Sequence, residues 1–236
     1  MDYSNFKIDM PNDVDFIINT IKSHGHQAYA VGGCVRDSIM GLTPNDWDIT
    51  TSALPSDIKE YFNKTIDTGI EHGTVTVMLH NVGYEVTTYR IDGEYKDGRH
   101  PSSVEFSDRL TDDLCRRDFT INAMAYNNVT GLVDEYGGID DINNRIIKCV
   151  GNPIERFTED ALRMMRAIRF SAQLGFTIEP DTFKAIEKLN RNIDKVSMER
   201  VCVELKKTLL SDNPDYCSLY ATTGLFNNIL PVIADN

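Results

Sequence analysis

No stretch of eighteen apolar residues occurs in this 236-residue sequence, and its N-terminus lacks a basic-then-apolar leader, so neither a membrane span nor export is expected and the cytoplasm is the expected setting. Cysteine is sparse: Cys34, Cys115, Cys149, Cys202 and Cys217 are odd in number and show no CxxC spacing, which argues against a disulfide framework and for reduced thiols. Of the five histidines, His24 and His26 flank Gly25 while His72, His80 and His100 stand alone, and a zinc site has no ligand set to draw on. The glycine signatures GxGxxG and GxxxxGK[ST] are both missing, which removes the dinucleotide fingerprint and the P-loop. Internal repeats and low-complexity tracts are absent as well.

Positive charge is also short overall, with a net of −12. Its distribution is uneven: residues 1–142 balance at −13, residues 143–210 at +4 and residues 211–236 at −3. The middle segment is the one suited to a phosphate backbone, although solvated helix faces give the same balance.

Helical and extended patterns alternate over the first 140 residues. Val14, Ile17, Ile18 and Ile21 fall at helical spacing in a helix over 13–23 that Gly25 stops. A strand over 27–32, a short helix over 34–40 and a strand over 47–51 follow. Residues 74–79 and 84–90 read as a hairpin joined by His80, Asn81, Val82 and Gly83. The polar stretch between Ile91 and Asp108 reads as a mobile loop. Beyond residue 140 only helices are predicted, over 159–174, 180–190, 197–210 and 213–223, with Gly175 and Gly224 as stops. The expected fold class is therefore a small mixed α+β unit (1–142) followed by an all-α region (143–210) and a further helical segment (211–236), whose apolar residues, Leu219, Leu225, Phe226, Ile229, Leu230 and Ile233, either pack back on the preceding helices or begin a larger helical domain.

What is present is acidic and closely spaced. Asp46 and Asp48 are two apart on a predicted strand, so both carboxylates point to one face. Glu85 shares a strand face with Thr87 and Tyr89, and joins the pair if that strand is a neighbour; otherwise it is a solvent-facing hairpin residue. Hard oxygen ligands of this kind suit magnesium. The double glycine Gly32-Gly33, between a strand and a helix, is a seat for phosphate. A carboxylate-held metal pair beside a triphosphate supports nucleotidyl transfer.

Two further segments carry polar chemistry. Arg116-Arg117-Asp118-Phe119-Thr120-Ile121-Asn122 packs guanidiniums for phosphate with groups for ribose hydroxyls; the structural alternative is that Arg117 and Asp118 pair with each other. On the helix predicted over 159–174, Asp160 and Arg163 lie three apart on one face, either as an intrahelical ion pair or as a base reader. Cytosine and adenine each present an amine donor beside a ring-nitrogen acceptor, which a carboxylate plus a guanidinium complements; guanine and uracil present the reverse.

Taken together, AYAVGGCVRDSIMG, NDWDITTSA, EHGTVTV with EVTTYRIDGEY, DDLCRRDFTINAMAYN, EDALRMMRAIRFSAQLGF and SMERVCVELKKTLL resemble the class II tRNA nucleotidyltransferase and bacterial poly(A) polymerase family, in its order, over roughly residues 28–210. The resemblance implies a nucleotidyltransferase head, a helical neck and further helical domains. It implies Asp46, Asp48 and Glu85 as catalytic, with Asp46 and Asp48 holding Mg2+. Gly32, Gly33, Arg36, Arg117, Asp118, Asn122, Asp160, Arg163, Arg166 and Arg169 are implied to bind the nucleotide, and Glu199, Arg200 and Glu204 to brace its pocket. CTP, ATP and a tRNA 3′ end are the implied partners. Relatives that add only cytidines lack the loop GEYKDGRHPSSVEF, so a protein that adds the terminal adenosine is expected; an A-adding enzyme, a poly(A) polymerase and a non-catalytic nucleotide- or RNA-binding module are the alternatives. Family members are longer, so a C-terminally truncated piece is also expected.

Overall fold

The computed structural model describes residues 6–93 and 103–230. Among them the chain divides into two compact units, the first comprising 6–92, 104–117 and 121–139 and the second chiefly 118–120 and 140–230. Residues 143–210 and 211–230 thus fall in one unit, and three residues of the RRDFT segment cluster with it.

The first unit opens with α1 (Asn12–Ser23), whose Val14, Ile17, Ile18 and Ile21 are all buried, as their 3.6-residue spacing predicts. After it come β1 (Ala28–Val31), α2 (Gly33–Ile39), β2 (Asp48–Thr51), α3 (Pro55–Tyr61), β3 (Thr65–Gly69), β4 (Thr74–Leu79), β5 (Val82–Thr88), β6 (Arg90–Asp92), β7 (Val104–Phe106), α4 (Leu110–Cys115), β8 (Met124–Asn127) and β9 (Gly131–Asp134). Seven strands form one sheet in the order β3-β4-β5-β2-β1-β8-β9. The β2–β5 pair is parallel and its neighbours are antiparallel, so the sheet is mixed. Tyr29, Val31, Tyr89, Leu110, Leu114 and Ala125 pack into a buried cluster of this unit.

Three local features differ from the sequence reading. The hairpin connection is only His80-Asn81, both at positive φ, with Leu79 opposite Val82. Two such residues make the tight turn whose twist matches the strands, so Val82 and Gly83 join β5. The segment read as a loop over 91–108 is paired at its base, where β6 and β7 run antiparallel from Arg90↔Phe106 to Asp92↔Val104; its centre, 94–102, lies outside the described residues. Asp46 precedes β2 instead of lying on it.

The second unit follows α5 (Gly138–Asn143), which spans the boundary, with β10 (Ile146–Ile147), α6 (Pro153–Glu159), α7 (Leu162–Leu174), β11 (Thr177–Ile178), α8 (Pro180–Leu189), α9 (Met198–Leu209), α10 (Ser218–Thr222) and α11 (Leu225–Ile229). Among the described residues it is helical apart from the two-residue parallel pair β10–β11 and an isolated bridge between Phe119 and Cys149. Gly175 ends α7 at φ 66° and Gly224 precedes α11 at φ 75°, left-handed conformations that glycine adopts without strain. The apolar residues after 213 pack back on the helices: Tyr220, Leu225 and Ile229 are buried, and the Tyr220 hydroxyl lies 2.8 Å from that of Thr208. Ile233 lies outside the described residues. No helix among the described residues is long and apolar enough to cross a membrane, and none of the five cysteines is joined in a disulfide. Burial pushes the Cys34 thiol up to about 11 and that of Cys149 up to about 12.

Candidate active site

Parallel pairing of Ile49 with Val86 puts Asp48 on the rung beside Glu85. Asp46, Asp48 and Glu85 line one pocket of about 510 Å3, together with Trp47, Tyr84 and Pro11. The two aspartates line the same pocket, Asp46 from the loop before β2 and Asp48 from the first position of the strand, so strand parity is not what brings them together. Partial enclosure raises the Asp48 pKa, the Arg117 guanidinium pulls it back, and Glu85 and Asp46 add to the rise. Crowded carboxylates of this kind disfavour full ionisation unless a cation joins them. Among the described residues no group of three or more His, Cys, Asp or Glu side chains is placed to hold a metal ion, so of these three carboxylates at most a pair serves as protein ligands.

Arg117 is held by a residue the sequence reading passed over. Asp113 on α4 is fully buried and accepts from Arg116 Nε at 2.9 Å, Arg117 Nη2 at 3.0 Å and Thr50 Oγ1 at 3.1 Å. Burial pushes its pKa up, but the guanidiniums of Arg117 and Arg116 outweigh burial and lower it. Its signal was present in the sequence: Asp113 precedes Arg116 and Arg117 by three and four residues, which is helical contact spacing. Arg116 also reaches Asp92 at 4.0 Å, and Asp92 pairs with Arg90 at 2.9 Å, so an ion chain runs from the β6–β7 ribbon to Arg117.

The glycine turn works by close approach. Gly32 caps α2 at φ 86°, ψ −132°, and a Cβ there would lie 3.1 Å from Arg117 Nη1. Glycine thus lets a guanidinium lie against the backbone. Arg36 donates to the Asn122 side-chain oxygen at 2.7 Å and to Asp37 at 2.8 Å. The structure brings Gly32, Gly33, Arg36, Asn122 and Arg117 together around one turn.

The remaining candidates lie in the second unit. Arg117 and Asp118 do not pair. Asp118 accepts from Arg166 Nε at 2.7 Å and from the Phe119 amide at 2.8 Å. Burial opposes the Arg166 charge, yet Asp118 outweighs it and raises the pKa. Arg169 is buried, donates to Glu204 at 2.5 Å and to Gln173 at 2.7 Å, and stacks 3.9 Å from the Phe170 ring centroid.

The helix read as 159–174 is broken. Asp160 is extended at φ −136°, ψ 104° between α6 and α7, and its Oδ1 accepts the Leu162 amide at 3.0 Å. A short acid bonding the backbone two residues on competes with the helical ladder. Consequently Asp160 and Arg163 form no side-chain ion pair. Arg200 donates to Asp160 Oδ2 at 3.0 Å, while Arg163 donates to Glu159 Oε2 at 2.6 Å. Arg156 binds the other Glu159 oxygen at 2.5 Å. Glu159 and Arg156, absent from the sequence reading, are thus the partners that hold Arg163.

Residues 28–148 match the model of the poly A polymerase head domain, and residues 175–236 match one described as a probable RNA and SrmB-binding site of polymerase A. Curated relatives named CCA-adding enzyme include one from Ligilactobacillus salivarius, 49% identical over 218 residues that cover 87% of this chain and 54% of the relative. Another, from Leuconostoc mesenteroides, is 47% identical over 93% of this chain and 55% of the relative. The chain spans about half the length of the curated relatives it matches. Among solved structures, the Bacillus stearothermophilus CCA-adding enzyme in complex with CTP superimposes with TM-score 0.83 at 45% identity, covering 89% of this chain and 51% of that one. The Thermotoga maritima CCA-adding enzyme complexed with tRNA gives TM-score 0.79 at 25% identity, covering 98% and 56%. With its first unit matched by the head-domain model across more than half of the sequence, this chain belongs to the poly A polymerase head-domain family.

Proposed function

We propose that this chain is the nucleotidyltransferase part of an enzyme that adds C and A to the 3′ end of tRNA from CTP and ATP, without a template. The observation that carries the reading is the single pocket lined by Asp46, Asp48 and Glu85, with Arg117 acting on Asp48. Relatives about 49% identical bear the name CCA-adding enzyme.

An all-oxygen, mutually repelling donor set fits magnesium. Asp46 and Asp48, with Glu85 beside them, would hold it, and when bound it supplies charge neutralisation at the triphosphate and acidifies an attacking hydroxyl. Arg117 is fixed by Asp113 against the Gly32 turn, which suits it to grip phosphate oxygens and to offset charge on the leaving pyrophosphate. Arg36 and Asn122 support the same turn. In the second unit, Asp160 and Arg163 are each held by a different partner, so a carboxylate acceptor and a guanidinium donor are fixed independently. That pair complements cytosine and adenine and leaves guanine and uracil with unpaired edges, a mismatch that polar sites penalise heavily. Asp118 and Arg166 orient each other through two nitrogen contacts, and Arg169 with Glu204 braces α7 against α9.

The deciding experiment is incorporation of labelled CMP and AMP into tRNA ending at the discriminator base and into tRNA ending in CC, with the products sequenced. C, C and one A on the first and one A on the second are expected. Addition of A alone would make this an A-adding enzyme, a run of adenosines would make it a poly(A) polymerase, and no incorporation would leave a nucleotide- or RNA-binding module.

A further inference from the structure

The strand that carries Asp48 and the guanidinium of Arg117 come from distant parts of the sequence, and one hydroxyl joins them. Thr50 follows Asp48 by two on β2, so its side chain leaves the sheet on the same face. It is fully buried, and its Oγ1 donates to Asp113 Oδ2 at 3.1 Å across sixty-three residues of sequence. The same Asp113 oxygen accepts Arg117 Nη2 at 3.0 Å, while Oδ1 accepts Arg116 Nε at 2.9 Å. Asp113 Oδ2 is therefore the point at which β2 and Arg117 meet.

A threonine hydroxyl has a single proton to give. Its alternative acceptor is the Thr87 carbonyl at 3.3 Å, which is farther and uncharged, so the carboxylate holds the proton more strongly. Arg116 and Arg117 approach Asp113 on long, partly exposed side chains. Thr50, by contrast, is β-branched, buried and carried by a central strand of the sheet, which makes it a stiff anchor. A carboxylate pinned by such an anchor cannot turn without breaking a charge-assisted bond in a buried setting, where the loss costs most. Fixing its rotation fixes where Arg117 Nη2 is drawn, and with it the guanidinium that acts on Asp48 and lies against the Gly32 turn.

Resting on the nucleotidyl-transfer reading above, we infer that Thr50 is a positioning residue for Arg117: its hydroxyl sets the Asp113 carboxylate and so keeps the guanidinium in register with Asp48 on Thr50's own strand. Thr50 acts through Asp113 and needs no contact with the nucleotide. The adjacent Thr51 supplies a control. It is equally buried, but its side chain leaves the other face, where the hydroxyl donates to the Gln27 carbonyl at 2.6 Å and accepts the Ala53 amide at 3.0 Å.

Thr50→Val keeps the branched shape and removes the proton, whereas Thr50→Ser keeps the proton. With CTP and a tRNA minihelix, Thr50→Val should lower the single-turnover rate of CMP addition about tenfold to a hundredfold, the range for one hydrogen bond to a charged group. Affinity for the minihelix should stay within about twofold, and Thr50→Ser should restore most of the rate. Thr51→Val should lower the melting midpoint yet leave the rate within about twofold. A cycle with Arg117→Ala carries the decision: once Arg117 is removed, Thr50→Val should cost no more than about twofold further. Calorimetry with inorganic tripolyphosphate in magnesium buffer should show the same pattern, each single variant weakening binding and the pair no more than Arg117→Ala alone. Equal rate losses in Thr50→Val and Thr51→Val, no recovery in Thr50→Ser, or a tenfold loss from Thr50→Val on top of Arg117→Ala would overturn the assignment. Should Thr50→Val not fold, NMR of the unaltered chain decides: the Thr50 hydroxyl proton should be protected from solvent exchange and should shift when tripolyphosphate and magnesium are added, and a freely exchanging or unmoved proton would overturn the role. Absence of incorporation by the unaltered chain would overturn the nucleotidyl-transfer reading itself, whereas incorporation indifferent to Thr50→Val would overturn only the positioning role.

Discussion

Asp113 is the residue through which the fold of the head and the proposed phosphate grip are joined, and its removal gives the sharpest test of that connection. The carboxylate is fully buried, while its partners Arg116 and Arg117 retain 20% and 18% side-chain exposure. Removing one partner of a buried pair costs roughly 3–5 kcal/mol, because the remaining charge is stranded. Here the guanidiniums can turn partly toward water, which places Asp113→Ala near the lower end, about 3 kcal/mol. Asp113→Asn keeps an acceptor for Thr50 and one arginine, and should cost about 1–2 kcal/mol. For a chain of this length 1 kcal/mol moves the melting midpoint by roughly 2–4 °C, so the alanine variant should melt about 6–12 °C lower. The effect has a pH signature. Burial alone would raise the pKa, but the two guanidiniums lower it from the ordinary 3.8. Stabilisation by this group is therefore complete above the unfolded-state value and disappears as pH falls through the lower folded-state value. Urea unfolding of the unaltered chain and both variants at pH 7, and at a series of values below pH 4, checks both points. A loss under about 1 kcal/mol for Asp113→Ala, or a gap to the unaltered chain that widens on acidification, would refute the reasoning.

Three other perturbations probe the remaining parts of the site. Asp46→Ala should lower incorporation of CMP and AMP by at least 100-fold in a single-turnover assay while the chain still binds CTP, since metal-clamp residues act mainly on the transition state. Gly32→Ala forces a side chain into a positive-φ turn and against Arg117 Nη1; the strain costs about 1–3 kcal/mol, and the KM for both nucleotides should rise together. Glu159→Gln weakens the tether of Arg163 without touching Asp160. It should flatten preference among the four nucleotides less than Asp160→Ala with Arg163→Ala does, as read by competition between CTP and UTP.

Elements with a clear period were legible in the sequence. The α1 stripe is an example, because four apolar residues at helical spacing have one burial solution. By contrast, β8 is four residues long and buried on both faces, so it shows no alternation to detect. β3 lies at the sheet edge, with three of its five residues exposed, and offers no apolar pattern; α3 is just seven residues long. At the site, Asp46, Asp48 and Glu85 were legible as residues, but their convergence depended on the β2–β5 register, a long-range pairing that local sequence does not specify. The spacing leaves open which acid holds Arg163, for a definable reason. Glu159 and Asp160 both precede it at helical spacing, and the choice was settled by the Asp160 side chain bonding the Leu162 amide and extending the backbone between α6 and α7.

The charge arrangement around Asp48 sets stability against function. Partial enclosure, Glu85 and Asp46 all make its ionised form unfavourable in the fold, and Arg117 offsets only part of that. A carboxyl whose folded-state pKa lies above its unfolded value costs stability at every pH where it is ionised, and that cost fades as pH falls toward and below the unfolded value. Asp48→Asn keeps the shape and removes the charge, so it should raise the melting midpoint at pH 7.5 in metal-free buffer while abolishing incorporation, the trade expected where a site is strained for its task. Millimolar magnesium should stabilise the unaltered chain, because a ligand bound only by the folded state adds to its stability, and it should do so much less in Asp48→Asn. Calorimetry of both proteins with EDTA and with magnesium separates the two effects. If Asp48→Asn melts lower than the unaltered chain without metal, the carboxylates are not in conflict, and the case for a cation between them loses its physical basis.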